Sequence, residues 1–247
     1  MHPLTRFAAA FAILASAAAG GYFAYRWAAH TDAGASTAGG LIDAKARDSR
    51  IDGATAEPVP KPVPEMLPDF VLADRQGKPR RLSDWKGRPL LVNFWATWCA
   101  PCRREIPLLQ ALRRERAADG IEVVGIAVDF RDAVLTYAAD IGIDYPLLIG
   151  ENDGLAAVDA FGMQMVFPFT VFADREHRIV ALKIGELHRD EAEFILDRQR
   201  EIDAGRLDVE AARGQIAAKL RELAAARATR QAGSAQIGSK DTQTPPN

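Results

Sequence analysis

The chain has 247 residues, 48% of them hydrophobic and 26% charged, with 31 Lys and Arg against 33 Asp and Glu. A formal net charge of -2 gives no sign of nucleic-acid binding, and no nucleic-acid partner is expected. The length suits one folded domain accompanied by targeting or linking segments.

Residues 1–30 set Arg6 ahead of an uncharged apolar run from Phe7 to Tyr25, near the ~20 residues that span a bilayer as a helix. Tyr22, Tyr25 and Trp27 fall where an interfacial aromatic belt would lie. An uncleaved membrane anchor is the preferred reading, with a cleaved secretory signal ending near Ala15–Ala17 as the alternative. Either way Arg6 keeps the N-terminus cytoplasmic and the remainder is exported, although Arg26 on the far side opposes that orientation. Residues 31–64 turn to Ala, Gly, Asp and Pro, and prolines at 58, 60, 62 and 64 favour an extended, semi-rigid spacer.

From residue 65 to residue 204 the pattern is that of a folded domain. "MLPDFVLADRQGKPRRLSDW" predicts a short strand, a turn at Gln76-Gly77 and an edge segment, and "RPLLVNFWAT" a central strand covered on both faces. "CRREIPLLQALRRERAADG" places Ile106, Leu109 and Leu112 at helical spacing, with Pro107 inside the helix and Gly120 as its stop. "IEVVGIAVDF" reads as a buried strand, "RDAVLTYAADIG" as a helix, "YPLLIG" as a strand and "NDGLAAVDAFG" as a helix. A hairpin turning at Asp174 to His177 and a helix from about Arg189 to Ile202 close the domain. The order predicts an α/β fold, a mixed central sheet with helices on both faces. Residues 205–247 add an amphipathic helix with Val209, Ile216, Leu220 and Leu223 on one side, expected to dock on the domain, and then a polar tail from Gly233 expected to lack structure.

Cys99 and Cys102 are the chain's two cysteines, separated by Ala100-Pro101 between the central strand and the amphipathic helix. A zinc site needs four ligands; there is no third cysteine, and His2, His30, His177 and His188 show no ligand spacing, so no metal is expected. A structural staple is the second reading, but so short a loop stabilises by only about 2 kcal/mol. The third is a redox pair on the first helical turn, where the dipole and free amides favour a thiolate at Cys99 and Cys102 resolves the mixed disulfide. The redox reading is preferred, and it calls for no cofactor.

"FWATWCAPCRREIP" resembles the active-site segment of the thioredoxin superfamily, and with "LPDFVLADRQGKPRRLSDWKGRPLLVNFWATWC" the chain is similar to the TlpA/ResA-type membrane-tethered thiol-disulfide oxidoreductases of bacteria. The resemblance covers about residues 65–202 and implies a thioredoxin fold. It implies that Cys99 attacks and Cys102 resolves, that Trp98 and Pro101 shape the site, and that Pro107 kinks the helix. Pro168 matches a cis-proline facing the cysteines, with Phe167 offering its backbone to an extended substrate; Phe167 is bulkier than the residue usual there. Asn93 stands where thioredoxins proper carry a buried aspartate, and Glu105 matches an acidic residue of the ResA-like group, the implied proton acceptor. A solvated Glu105 paired with Arg103 or Arg104 is the alternative.

The implied function is a reductase in the bacterial inner membrane, its catalytic domain in the periplasm. Its partners would be protein disulfides, such as those of apocytochrome c or a copper-site protein, and a membrane electron donor of the DsbD/CcdA type. A DsbA-like oxidase is the nearest rival. A thiol peroxidase is disfavoured because Val92 and Ala96 stand at the Pro and Thr positions such enzymes need. A tethered, non-enzymatic binding module is the remaining alternative.

Overall fold

A computed structural model of the protein describes residues 61–164 and 166–240. The expected anchor or signal in residues 1–30, the spacer up to residue 60 and the tail from residue 241 lie outside the described residues. Among the described residues no helix is long and apolar enough to cross a membrane.

Seven strands form one sheet in the order β2-β1-β5-β4-β3-β6-β7. They are β1 (Val71–Asp74), β2 (Pro79–Arg81), β3 (Leu90–Trp95), β4 (Glu122–Val128), β5 (Leu147–Gly150), β6 (Phe169–Ala173) and β7 (Ile179–Ile184). Strands β3, β4 and β5 run parallel, while β6 joins β3, β7 joins β6, and the β1–β2 hairpin joins β5, all antiparallel. The sheet is therefore mixed, as its element order predicts. Among the described residues five α-helices accompany it: α1 (Ala100–Glu115), α2 (Arg131–Asp140), α3 (Asn152–Ala160), α4 (Arg189–Asp203) and α5 (Val209–Lys240).

Side-chain alternation explains why β3 is buried along its whole length. Leu91 and Trp95 enter one core with Ile106, Leu109 and Leu112 of α1, Val134 and Ala138 of α2, and Ile195 and Leu196 of α4. Leu90, Val92 and Phe94 enter the opposite core with Ala157 and Val158 of α3 and with Phe161 and Phe169. Phe94 stacks on Phe169 at 4.2 Å between ring centroids. Helices thus cover both faces, and β3 ends at the seam where the cysteine motif begins.

The turns follow from side-chain acceptors. The buried Asp174 carboxylate accepts from the backbone N–H groups of Glu176 and Arg178 and from Arg178 Nε, closing the β6–β7 hairpin. Asp74 does the same for Gln76 and Lys78 at the β1–β2 turn. Two segments at the domain's margins are also packed. The Lys61 carbonyl oxygen lies 2.5 Å from where a Cβ on Gly162 would sit, and Lys61 Nζ donates to Asp159 at 2.5 Å. At the other end α5 docks through Val209, Ala212 and Ile216, and it runs on through Gly233 to Lys240, into the stretch expected to lack structure. Elongating a formed helix takes far less free energy than starting one.

Candidate active site around Cys99 and Cys102

The strand-to-helix passage builds the site. β3 ends at Trp95, and the loop that follows is fixed by Asp129 at the end of β4, whose Oδ2 accepts from Thr97 N at 2.9 Å and Thr97 Oγ1 at 2.5 Å. Cys99 is then the N-cap of α1, its Sγ accepting from Cys102 N at 3.3 Å, and Pro101 occupies the first turn, where its missing N–H leaves nothing unpaired. Cys99 and Cys102 form a disulfide, with Cα atoms 5.3 Å apart. Cys99 retains slight exposure while Cys102 has none, which orders them as outer and inner sulfur. A short-loop cystine at a helix N-terminus, one sulfur accessible and the other buried, is built for exchange rather than for stapling.

Below Cys102, one turn along α1, Glu105 is buried at 2% exposure. It is not the solvated glutamate of the alternative reading: Arg104 turns to Glu186 at 2.5 Å, and the Arg103 guanidinium lies over the Tyr137 ring. Glu105 Oε1 accepts from Asn93 Nδ2 at 2.7 Å, and Oε2 accepts from Leu187 N at 2.7 Å. Asn93 also donates to Thr170 Oγ1 at 3.0 Å, its partner across the β3–β6 ladder. Burial pushes the Glu105 carboxyl up to about 7, against the opposing pull of these two donors and of Lys183. Asn93 on β3 thus holds the buried acid that α1 supplies.

Phe167-Pro168 is a cis peptide, with Pro168 buried and Phe167 half-buried. The β3–β6 register places this bond beside the end of β3, and the Phe167 ring meets Trp98 edge-on at 5.9 Å. Trp98, 63% exposed, and Phe130, 67% exposed, flank a groove of about 330 Å³ whose other walls include Phe167, Leu155 and Glu151. Phe167 therefore forms one wall of an apolar surface beside the outer sulfur. The structure brings together all seven residues singled out in the sequence, Trp98, Cys99, Pro101, Cys102, Glu105, Phe167 and Pro168. It adds Thr97, Asp129, Thr170 and Leu187, of which only Asp129 had a signal in the sequence, as an acid directly after a buried strand.

Fold and site together define a thioredoxin-fold protein disulfide oxidoreductase. The chain belongs to the AhpC/TSA family, whose profile matches residues 63–204. It is 30% identical to the thiol-disulfide oxidoreductase ResA of Bacillus anthracis over 132 residues, 53% of this chain and 75% of that protein. It is 34% identical to the thioredoxin-like protein YneN of Bacillus subtilis (strain 168) over 139 residues, 54% of this chain and 78% of that one. Among solved structures, a secreted thiol-disulfide isomerase from Corynebacterium glutamicum is 31% identical with a TM-score of 0.47, covering 51% of this chain and 80% of that one. Within the family this site is a dithiol pair rather than a peroxide pocket. Val92 and Ala96 are buried and bring no hydroxyl, and the Thr97 hydroxyl is held by Asp129.

Proposed function

We propose that the chain is an exported, membrane-tethered reductase of protein disulfides. In this reading the Cys99 thiolate attacks a substrate disulfide, one substrate thiolate leaves, and Cys102 then displaces the second from the mixed disulfide. Cys102 gives its proton to Glu105 as it attacks, and Glu105 returns it to the second leaving thiolate while the first takes its proton from solvent, so two electrons pass to the substrate with one proton from the pair and one from water. Trp98, Phe130 and Phe167 seat the apolar flank of an extended substrate segment, and the backbone of Phe167 pairs with it as an added strand does. A membrane electron donor of the DsbD/CcdA type restores the dithiol, and apocytochrome c or a copper-site protein is the substrate class.

The observation that carries the direction is the buried acid beneath the inner sulfur. An oxidant owes its potential to a stabilised reduced form, that is, to a well-supported thiolate. Here a carboxyl that ionises near neutrality sits one turn from Cys102, while Arg103 and Arg104 are engaged with Tyr137 and Glu186. A negative neighbour raises thiol pKa and destabilises the dithiolate side, which favours giving electrons away.

Equilibration with a redox buffer tests this. A potential near that of thioredoxin, about -270 mV, is expected, and one near about -120 mV would make the protein an oxidase. Insulin reduction by the dithiol form, abolished in Cys99→Ser, separates catalysis from mere binding. Partition of the full chain with membranes resistant to alkaline washing, and its loss when residues 1–30 are removed, tests the tether.

A further inference from the structure

Helix α5 begins after the family match ends at residue 204, yet it reaches back to the active-site side of the sheet. We propose that Arg227 on α5 is a positioning residue for Glu105: it anchors the start of α4 and, through Glu191 and Lys183, the turn between β7 and α4 that presents the Leu187 amide to the Glu105 carboxylate. The proposal rests on the role given to Glu105 above and names the element that sets that acid's surroundings.

Arg227 Nη1 donates to Glu191 Oε1 at 2.8 Å and Nη2 to Asp190 Oδ1 at 2.7 Å. Glu191 is itself buried, its other oxygen accepting from His188 N at 3.0 Å and lying 3.7 Å from Lys183 Nζ. Lys183 Nζ in turn donates to the carbonyls of Ile184 at 2.9 Å and Glu186 at 3.2 Å, folding the turn so that Leu187 N meets Glu105 Oε2. Gly185 N, donating to the Pro168 carbonyl at 2.8 Å, ties the same turn to the cis-proline. A buried carboxylate shared by two cations keeps each in place; with one removed, the other is drawn in to neutralise it. Loss of Arg227 therefore pulls Lys183 toward Glu191 and off the two carbonyls, loosening the turn.

The charged and titratable groups that bear on Glu105 are Lys183 and Glu186 from this turn, Tyr145 from the segment entering β5, and Cys102 on its own helix, with Arg104 held on Glu186. Two consequences of losing Arg227 share one sign. A weakened Leu187 N–H bond and a receding Lys183 ammonium both withdraw support from the ionised carboxyl, so Glu105 should hold its proton to higher pH.

The test uses the full chain, detergent-solubilised and oxidised so that neither cysteine titrates. The side-chain carboxyl of Glu105 is followed by carbon NMR with labelled glutamate and is assigned by its disappearance in Glu105→Gln. Arg227→Met should raise the titration midpoint by about 0.5 in pH or more, Arg227→Lys should restore it, and a chain ended after Ala226 should repeat the rise with α5 still docked. A midpoint equal to the parent's in both Arg227→Met and the shortened chain overturns the proposal, whatever the activity of Glu105→Gln. If the midpoint rises but Glu105→Gln exchanges thiols as fast as the parent, the coupling stands and the catalytic reading of Glu105 fails.

Discussion

Glu105 is a carboxyl that the fold keeps dry and yet provides with donors. Asn93 and Leu187 each bring one N–H to it, so its ionised form is supported, but burial outweighs them and lifts its pKa from the ordinary 4.5 to about 7. The sign of the linkage follows. The folded protein holds a proton there that the unfolded chain has released, so this contribution to stability is fully present below about 4.5 and is lost as the pH rises through about 7. The size is on the order of 3 kcal/mol. Chemical denaturation of the oxidised protein should accordingly show a midpoint that falls between pH 5 and pH 8, and Glu105→Gln should flatten that fall. A carboxamide must also turn its own N–H group toward one of the two donors, so Glu105→Gln should be less stable than the parent at pH 5 by about 1–2 kcal/mol, the gap closing toward pH 8. A parent midpoint that does not change with pH would mean the acid is solvated. For the exchange reaction the same acid acts as a base only when ionised, so resolution by Cys102 should quicken as pH rises through about 7, and Glu105→Gln should remove that rise.

Between the elements, one tight constraint lies on β4 where it packs beside β3 and the segment that forms β5. Gly125 lies on the face that receives Trp95, Tyr145 and Leu147, and a Cβ there would stand 2.7 Å from Leu147 Cδ2, 2.9 Å from Tyr145 Cε2 and 3.1 Å from Trp95 Nε1. All three neighbours are themselves fully buried, so none can swing away into solvent. Gly125→Ala should destabilise by about 1–3 kcal/mol, read as a lower urea midpoint with an unchanged slope. Much at this scale was legible in the sequence because it is local. The continuous apolar run of β3, the helical spacing of Ile106, Leu109 and Leu112, and the Asp174 turn are each written within a few residues. Phe167-Pro168 was legible through resemblance, and it is cis as that implied. The surroundings of Glu105 were not, since Leu187 lies 82 positions away and a backbone amide carries no side-chain signature. The same holds for Thr97 and Asp129, which are 32 apart, and for the attachment of β1 to β5, which no periodicity announces.

Across the whole molecule, α5 decides how far the domain extends. It leaves α4 through Gly205, in the left-handed region at φ 66°, and restarts where Asp208 Oδ2 accepts from Glu210 N and Ala211 N. From there Val209, Ala212 and Ile216 enter the core shared by α1 and α4, Leu220 packs against it, and Arg213 donates to the Ile179 carbonyl of β7. A helix held this way closes one side of the core, and its removal would uncover apolar surface on α4 and β7 together with the buried carboxylate of Glu191. A chain ended after Arg206 should therefore lose about 2–4 kcal/mol, less than the sum of its buried side chains because ordering the helix opposes their burial. The loss should appear in the denaturant midpoint and, because less surface is exposed on unfolding, also in a smaller slope. An unchanged midpoint and slope would show that α5 stands off the domain in solution. The cysteine pair is fixed by β3, β4 and α1 and should still cycle in the shortened chain, so a full loss of exchange would place α5 inside the active site rather than behind it.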